Sequence, residues 1–403
     1  MLACSQPATT QPENQTQAQP ARVETGIEVL RAKNFAPLAG KKVGLVTNPT
    51  GVDAQLRSTV DILHQAGEVD LQALYGPEHG VRGNFDAGDH VGTQTDPQTG
   101  LPMYSLYGKT RKPTPEMLEG IDVLVFDIQD IGCRSYTYIS TLALVMEAAA
   151  ENGKEVMVLD RPNPLGGNKV EGTIWEKEFQ SFVSQFDIPY VHGLTVGELA
   201  QMLNGENLLA NGQQCKLTVI PMEGWARDMH FGATGLPWVP TSPHIPHAYS
   251  AFYYATTGIV GELNANMIGV GYTLPFQVLA MPWINAPRLA QAMNSLNLEG
   301  VTFRPVWFRP YYKDLKGEEL QGVQIHITNH KKIHPTHIQF HFLHTLQALY
   351  PEQDLFAAHP DRHRMFDLVC GSDKIRKHFQ DGGDMEGFLA LWNKNTDAFK
   401  EKA

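Results

Sequence analysis

The amino-acid sequence predicts an α/β protein with a Rossmann-like, mostly parallel sheet and a second, α+β domain. Three observations support this fold class. Short apolar strands alternate with helical segments in the first half of the chain, which is the pattern of a parallel sheet with helices on both faces. A proline-rich, aromatic stretch at residues 235–243 marks a change in composition. The sequence after it mixes strands and helices, which predicts the second domain.

The strands and helices follow from local patterns. β-branched runs bounded by turn residues predict strands at residues 42–47, 71–75, 122–127 and 155–160. Apolar residues at helical spacing predict helices at residues 58–66 and 136–152, the second ended by Gly153. Thr195 and Glu198 form a capping box that begins a helix at residues 195–204. In the second domain we expect strands at residues 301–308 and 323–328 and helices at residues 336–349 and 385–399.

The chain of 403 residues divides into three predicted parts. Residues 1–24 contain few apolar side chains and are expected to be a disordered tether, because such a segment cannot offset its ordering entropy. Residues 25–220 form the sheet domain, and residues 221–403 form the α+β domain that closes a cleft over it. Cys4, which follows a small residue and precedes a polar spacer, resembles a lipoprotein processing site. We therefore predict a lipid anchor at Cys4 and a place in the bacterial cell envelope, either periplasmic or lipid-anchored.

Composition excludes several function classes. A net charge of −11 without a basic stripe argues against a nucleic-acid partner. No dinucleotide fingerprint or phosphate-binding loop is present, so no cofactor is predicted. The cysteines form no CxxC pair, which argues against a zinc cage, and Cys133, Cys215 and Cys370 are expected to be buried thiols. The histidines between 330 and 344 have helical spacing, but no third ligand lies in a recognisable pattern, so no metal is predicted.

Polar residues follow each predicted strand of the first domain, at residues 47–48, 78–79, 127–130 and 160–163. Ligands of open α/β sheets bind beyond the carboxyl ends of the strands. These four loops therefore outline a pocket, and Asn48 is one of its expected lining residues.

The segment YGPEHGVRG at residues 75–83 is the most distinctive of these loops. Its glycines let the backbone approach a ligand closely. Glu78 in a partly closed site could act as a general acid. We expect His79 and Arg82 beside it.

The segment FDIQDIGCRSYTY at residues 126–138 supplies two carboxylates, an arginine and two tyrosines. Asp127 is expected to hold the loop by accepting backbone N–H bonds, whereas Asp130 and Arg134 are the better candidates for facing a ligand. Tyr136 and Tyr138 could stack on a sugar or donate hydrogen bonds; if they point inward they are core residues.

The segment from residue 159 to residue 172 is fixed by two prolines and two glycines. This rigidity suggests that Arg161, Asn163 and Glu171 are presented in set positions. A contact between Asp160 and Arg161 could equally be structural only.

Five segments together resemble the NamZ-type exo-N-acetylmuramidase family. They are YGPEHGVRG, FDIQDIGCRSYTY, LDRPNPLGG with VEG, HGLTVGELAQMLNGE and TGLPWVPTSP, in this order. The resemblance runs from about residue 25 to the C-terminus. It implies a Rossmann-like domain and a second domain with the active site between them. It also implies release of N-acetylmuramic acid from the non-reducing end of peptidoglycan fragments such as MurNAc-GlcNAc, in cell-wall turnover and recycling.

The resemblance implies that Glu78 is the catalytic glutamate. Its implied companions are His79, Arg82, Asp130, Arg134, Tyr138, Asn163 and Glu171. The second catalytic role could fall to Glu171, to Asp130 or to the 2-acetamido group of the substrate, and the anomeric outcome stays open. Arg82, Arg134 and Arg161 are candidates for gripping the lactyl carboxylate. Val270 stands where many relatives have an arginine, which puts one charged subsite contact in doubt.

Two other functions are compatible with the same pattern. A periplasmic-type sugar-binding lipoprotein without turnover would also have two α/β domains around a cleft. A phosphoesterase would use Asp127, Asp130 and histidines on a metal and would lose activity with a chelator. The sequence makes no prediction of the oligomeric state.

Overall fold

The computed structural model describes residues 22–83 and 94–402 of the chain. The expected lipid anchor at Cys4 and nearly all of the expected tether lie outside these residues. The described residues contain two sheets, one of seven strands and one of three. This arrangement confirms the predicted fold class.

The seven-stranded sheet is mostly parallel. Its strands are β1 (Lys42–Thr47), β2 (Asp70–Gly76), β3 (Gln94–Thr95), β4 (Pro102–Ser105), β5 (Val123–Asp127), β6 (Glu155–Leu159) and β7 (Lys216–Ile220). Their order is β3-β4-β2-β1-β5-β6-β7, and only the pair β3 and β4 is antiparallel. The four predicted strands of this domain are therefore neighbours, and all four run in the same direction.

The smaller sheet is antiparallel. It consists of β8 (Val278–Met281), β9 (Val301–Phe308) and β10 (Leu320–Ile327), in the order β8-β10-β9. The predicted strand at residues 301–308 matches β9. The strand predicted at residues 323–328 begins three residues earlier, at Leu320.

The helices are α1 (Gly26–Ala32), α2 (Thr59–Gln65), α3 (Tyr138–Glu151), α4 (Val196–Gly205), α5 (Ser250–Thr257), α6 (Ala286–Ser295), α7 (Pro335–Leu349), α8 (Leu355–Ala358), α9 (His363–Cys370), α10 (Lys374–Gln380), α11 (Met385–Trp392) and α12 (Thr396–Lys402). The capping box of α4 is present, because Thr195 Oγ1 accepts from the Glu198 amide and Glu198 accepts from the Thr195 amide. The single helix predicted at residues 385–399 is wrong. Asn393 ends α11 as its C-cap, since asparagine favours caps over helix interiors.

The apolar side chains of the large sheet pack on both of its faces. Val43 and Leu45 of β1 belong to the core on one face, and Val46 belongs to the core on the other. The second of these cores also contains Phe399 of α12, so the last helix returns to the sheet. The α+β domain has its own core, to which Ile131 and Val191 of the first domain contribute.

Cys133, Cys215 and Cys370 are buried free thiols, as expected. None of the helices formed by the described residues combines the length and the apolar character that crossing a bilayer needs.

Candidate active site

Four loops meet at the carboxyl edge of the large sheet. Strands β2, β1, β5 and β6 are adjacent and parallel, with Val46 beside both Tyr75 and Phe126. Because parallel strands end at the same edge, the loops that follow them converge there. We call Asn48, Glu78, Asp130, Tyr136 and Tyr138 the strand-end cluster.

The turn that carries Glu78 has an unusual backbone. His79 and Gly80 are both left-handed, with φ of 72° and 75°. A Cβ on Gly76 would lie 2.7 Å from the Val81 amide nitrogen, so the chain doubles back where only glycine fits. These constraints place the Glu78 side chain at the end of β2.

Arg82 anchors this turn. Its guanidinium binds both carboxylate oxygens of Asp96, at 3.0 Å each, and Asp61 at 3.0 Å. Both acidic partners are structural, so the donors of Arg82 face protein groups. The expectation that Arg82 contacts a ligand gains no support from this geometry.

Glu78 is half-buried and is hydrogen bonded to Tyr107. Burial and the adjacent Glu78 carboxylate raise the pKa of Tyr107 to about 12. The hydroxyl of Tyr107 therefore keeps its proton at neutral pH and donates to Glu78.

Tyr136 and Tyr138 connect Glu78 to the rest of the cluster. Burial raises the pKa of Tyr136, and the negative charges of Asp130 and Glu78 raise it further. Tyr136 donates to Thr241 Oγ1 at 2.7 Å, and Tyr138 donates to the Thr241 carbonyl at 2.5 Å. Glu78 and Asp130, which follow different strands, thus both raise the pKa of Tyr136.

Asp130 is almost fully buried, at 6% exposure. Its Oδ2 accepts from the Gly132 amide at 2.6 Å and lies 3.8 Å from His192 Nε2, whereas its Oδ1 has no hydrogen-bond partner among the described residues. The Leu194 amide donates to His192 Nδ1, which assigns the ring proton to Nε2, the atom that faces Asp130. Nε2 also lacks a hydrogen-bond partner.

Asn48 directly follows β1 and is 3% exposed. Its Oδ1 accepts from the amide and the hydroxyl of Thr50, while its Nδ2 interacts with the Tyr138 hydroxyl but makes no close hydrogen bond to the residues that the structure describes. The Thr50 hydroxyl in turn accepts from the Gln129 amide, one residue before Asp130. Asn48 and Asp130 therefore lie at neighbouring strand ends.

Three buried polar atoms around Asp130 have no close hydrogen-bond partner among residues 22–83 and 94–402: Asn48 Nδ2, Asp130 Oδ1 and His192 Nε2. Native proteins rarely leave such atoms without a partner, because each costs about 1–3 kcal/mol of desolvation. Two donors and one acceptor beside a carboxylate suit a polyhydroxylated ligand that completes their hydrogen bonds.

Arg134 and Arg161 do not face a ligand in this structure. All five donors of Arg134 bind protein oxygens, four of them main-chain carbonyls, and the side chain is fully buried. Arg161 binds both oxygens of Asp127 and the Val52 carbonyl. Asp127 thus holds its loop through Arg161 and Thr59 instead of through backbone N–H groups.

Asn163 and Glu171 also have structural partners. Asn163 accepts from the Leu165 amide and donates to the Leu194 carbonyl. Glu171 is bound by His334 and Thr336 of the second domain. It lies in a different cluster from Glu78.

His79 and Val270, the other two positions discussed as subsite contacts, have different surroundings. His79 lies near His244, whose pKa is lowered by burial and by the positive charges of Lys313 and His79. Val270 is 7% exposed and packs in the core of the second domain. In this chain position 270 therefore contributes packing and no subsite charge.

Sequence reasoning missed three residues of the site: Tyr107, His192 and Thr241. The last two lie in the segments HGLTVGELAQMLNGE and TGLPWVPTSP, and the histidine that opens the first segment was a usable signal. Tyr107 lies in no recognisable motif.

Comparisons with known proteins match the whole architecture. Residues 43–249 match the family model described as exo-beta-N-acetylmuramidase NamZ, N-terminal, and residues 252–403 match its C-terminal counterpart. A peptidoglycan beta-N-acetylmuramidase NamZ from Bacillus subtilis is 44% identical over 389 residues, which is 96% of this chain and 92% of the relative.

Two crystal structures of DUF1343 family proteins from Bacteroides fragilis are also similar. One is 55% identical with a TM-score of 0.90 and covers 95% of this chain and 98% of its own. The other is 28% identical with a TM-score of 0.73 and covers 95% and 97%. Together with the matching family models, these similarities mean that the chain belongs to the NamZ exo-beta-N-acetylmuramidase family.

Proposed function

We propose that this chain is an exo-acting glycoside hydrolase that releases N-acetylmuramic acid from the non-reducing end of peptidoglycan fragments in cell-wall turnover, with Glu78 as its general acid and base. Family membership and the name of the Bacillus relative support the reaction. The observation that carries the site is the set of buried atoms without a close partner in the described residues, Asn48 Nδ2, Asp130 Oδ1 and His192 Nε2. Asp130 and Glu78 both act on Tyr136, which connects this set to Glu78.

Glu78 is the group that protonates the leaving oxygen. Its turn is fixed at the end of β2, and its carboxyl is half-buried. Tyr107 stabilises the carboxylate that forms once the proton has been given up, because its hydroxyl stays protonated and donates to that charge.

Asp130 takes the second role. Its Oδ2 is held by the Gly132 amide and faces His192, so the unpaired Oδ1 has a fixed direction. This oxygen either faces the anomeric carbon or accepts from the 2-acetamido N–H group and orients that group for attack. Glu171 is the weaker candidate, since both of its oxygens are bound by residues of α7 and the loop before it.

Uncharged hydrogen-bond donors, instead of arginines, recognise the sugar. The three arginines expected to grip the lactyl carboxylate are engaged with Asp96, Asp127 and main-chain carbonyls. Asn48 Nδ2 and His192 Nε2 are the unpaired buried donors of the described part of this edge.

The test compares two substrates with different leaving groups. An aryl N-acetylmuramide with a nitrophenol leaving group needs little protonation, whereas MurNAc-GlcNAc needs a general acid. Glu78→Gln should lower kcat/KM, which reports the steps up to cleavage of the glycosidic bond, by about 10²–10⁴-fold on the disaccharide and by much less on the aryl glycoside. Asp130→Asn should lower both rates by similar factors, because its role does not depend on the leaving group.

Glu68→Gln, an exposed glutamate on the same sheet domain, is the matched control and should leave both rates unchanged. Equal losses on the two substrates in Glu78→Gln would contradict its role as the acid. Cleavage of internal bonds of long glycan strands would contradict the exo-acting assignment.

We also propose that the protein acts at the cell envelope, anchored through a lipid on Cys4. The small residue before Cys4, the polar spacer after it and a substrate found in the cell wall support this. Cys4→Ala should move the protein from the membrane fraction to the soluble fraction in the native host, while Cys215→Ala should not. An unchanged distribution would rule out the anchor.

A further inference from the structure

We propose that Glu171, His334 and His337 form a binding site for a divalent transition-metal ion of the zinc type, separate from the strand-end cluster. One potential ligand atom from each residue lies within 4.8 Å of the other two. Two imidazoles and one carboxylate are a donor set that zinc takes in proteins, often with a fourth position left open.

The distances between the ligand atoms fit a bound metal ion if the side chains move slightly. Zinc binds such ligands at about 2.0–2.2 Å, so two ligands of a tetrahedral ion are roughly 3.4 Å apart. Glu171 Oε1 and His334 Nδ1 are 3.2 Å apart. The ligand atom of His337 lies within 4.8 Å of the other two, so it is at most about 1.4 Å too far away. The His334 side chain, at 65% exposure, has room to turn toward it.

The orientation of Glu171 is fixed by groups outside the ligand set. Its Oε2 accepts from the Thr336 amide at 3.0 Å and from the Thr336 hydroxyl at 2.7 Å. Trp392 Nε1 donates to the same hydroxyl at 2.9 Å. Hydrogen bonds of this kind commonly orient a metal-binding carboxylate, and they leave Oε1 directed at His334.

His337 supplies an independent observation. Its Nε2 is buried and makes no close hydrogen bond to the described part of the chain, although the ring interacts with Asn393. The rings of His334 and His337 lie 5.0 Å apart, nearly parallel, at the first turn of α7. A metal ion would give the unpaired nitrogen a partner.

The surroundings select the type of ion. A single carboxylate disfavours Mg²⁺ or Ca²⁺, which rely on several oxygen ligands. Imidazole ligands favour Zn²⁺, Co²⁺ or Ni²⁺. A cavity of about 310 Å³ lined by Glu171 and His334 gives the ion access and leaves room for a fourth ligand.

The experiment is titration of the tag-free, chelator-treated full chain with Zn²⁺ by calorimetry and with Co²⁺ by visible absorption. We expect one equivalent to bind and the cobalt form to show the intense bands of a four-coordinate ion. His337→Ala should weaken binding at least tenfold. Thr336→Val, which removes only the supporting hydroxyl, should weaken it by about tenfold.

His341→Ala, one turn further along the same helix, is the matched control and should bind like the wild type. Equal affinity of His337→Ala and His341→Ala would overturn the proposal, as would the absence of stoichiometric binding. Hydrolysis by the metal-free chain is measured in parallel, so that failure of this site and failure of the assignment of Glu78 give different results.

Discussion

Arg134 keeps a positive charge inside the protein without a carboxylate in contact. Burial lowers its pKa to about 10, so the side chain stays charged at neutral pH. The charge is stabilised by carbonyl oxygens, including those of Val369 and Cys370 at the C-terminal end of α9. The negative end of a helix dipole favours a cation at this position.

Replacing Arg134 by Met should destabilise the fold strongly. The substitution removes five hydrogen bonds and leaves their buried acceptors unpaired. We expect the free energy of unfolding to fall by about 3–5 kcal/mol in urea denaturation. Arg304→Met, at an exposed position of β9, should change it by less than about 0.5 kcal/mol. Similar losses in the two variants would show that the buried bonds contribute little.

At the scale of elements, Asp160 joins β6 to α4. Its carboxylate accepts from the Arg161 amide, the Gly197 amide and the Thr195 hydroxyl. Gly197 is required at this junction, since a Cβ there would lie 2.7 Å from the Asp160 carboxyl carbon. Burial nevertheless raises the pKa of Asp160 to about 6, because three hydrogen bonds offset only part of the desolvation.

This raised pKa predicts a pH dependence of stability. The pKa of Asp160 rises from about 3.9 in the unfolded chain, so its contribution is fully present below pH 4 and is lost as the pH rises through 6. Relative to Asp160→Asn, which keeps the carbonyl acceptor, the wild type should lose about 2–3 kcal/mol of unfolding free energy between pH 4 and pH 7. Asp381→Asn, at an exposed position, should show a flat difference. A flat difference for Asp160→Asn as well would contradict the prediction.

The elements that sequence reasoning found are those with strong local signals. The four central strands were predicted because each is an apolar run closed by turn residues, and their parallel order followed from the helices between them. β4 and β7 were missed because both strands are half-exposed and lack a continuous apolar run. β8 has only four residues, too few to distinguish a strand from a helical segment.

Part of the site could be predicted because local sequence signals mark the ends of the strands. Glu78, Asp130 and Asn48 follow strands, so sequence position alone places them at one edge. Whether an arginine faces a ligand or a protein group depends on partners that are remote in sequence. Arg134, for example, binds carbonyls 235 and 236 residues away. Glu171 has its partner His334 163 residues away. No local pattern contains such pairings.

At the scale of the whole molecule, the two domains share their interior. Ile131 and Val191 of the first domain pack in the core of the second, and Tyr190 lies 6.1 Å from Trp392, measured between ring centroids. Arg134 reaches α9, and Glu171 reaches α7. Neither domain therefore buries its apolar surface fully without the other.

We expect the chain to unfold in one cooperative transition although it has two sheets. Tryptophan fluorescence, which reports mainly on the second domain, and far-ultraviolet circular dichroism should give the same urea midpoint. Binding of N-acetylmuramic acid should raise that midpoint for both probes together. Two separate midpoints would indicate that the shared interior couples the domains weakly.

The return of Phe399 to the sheet has a consequence for biosynthesis. During translation the seven strands leave the ribosome before Phe399 does. The core on one face of the sheet therefore stays incomplete until α12 has been synthesised. A stop codon that removes the last few residues, including Phe399, would thus destabilise the sheet domain, which is synthesised first. Chains shortened by a few residues should be cleaved faster by proteases in the core that Phe399 shares with the large sheet, including the C-terminal end of α4, where Lys402 binds Glu206.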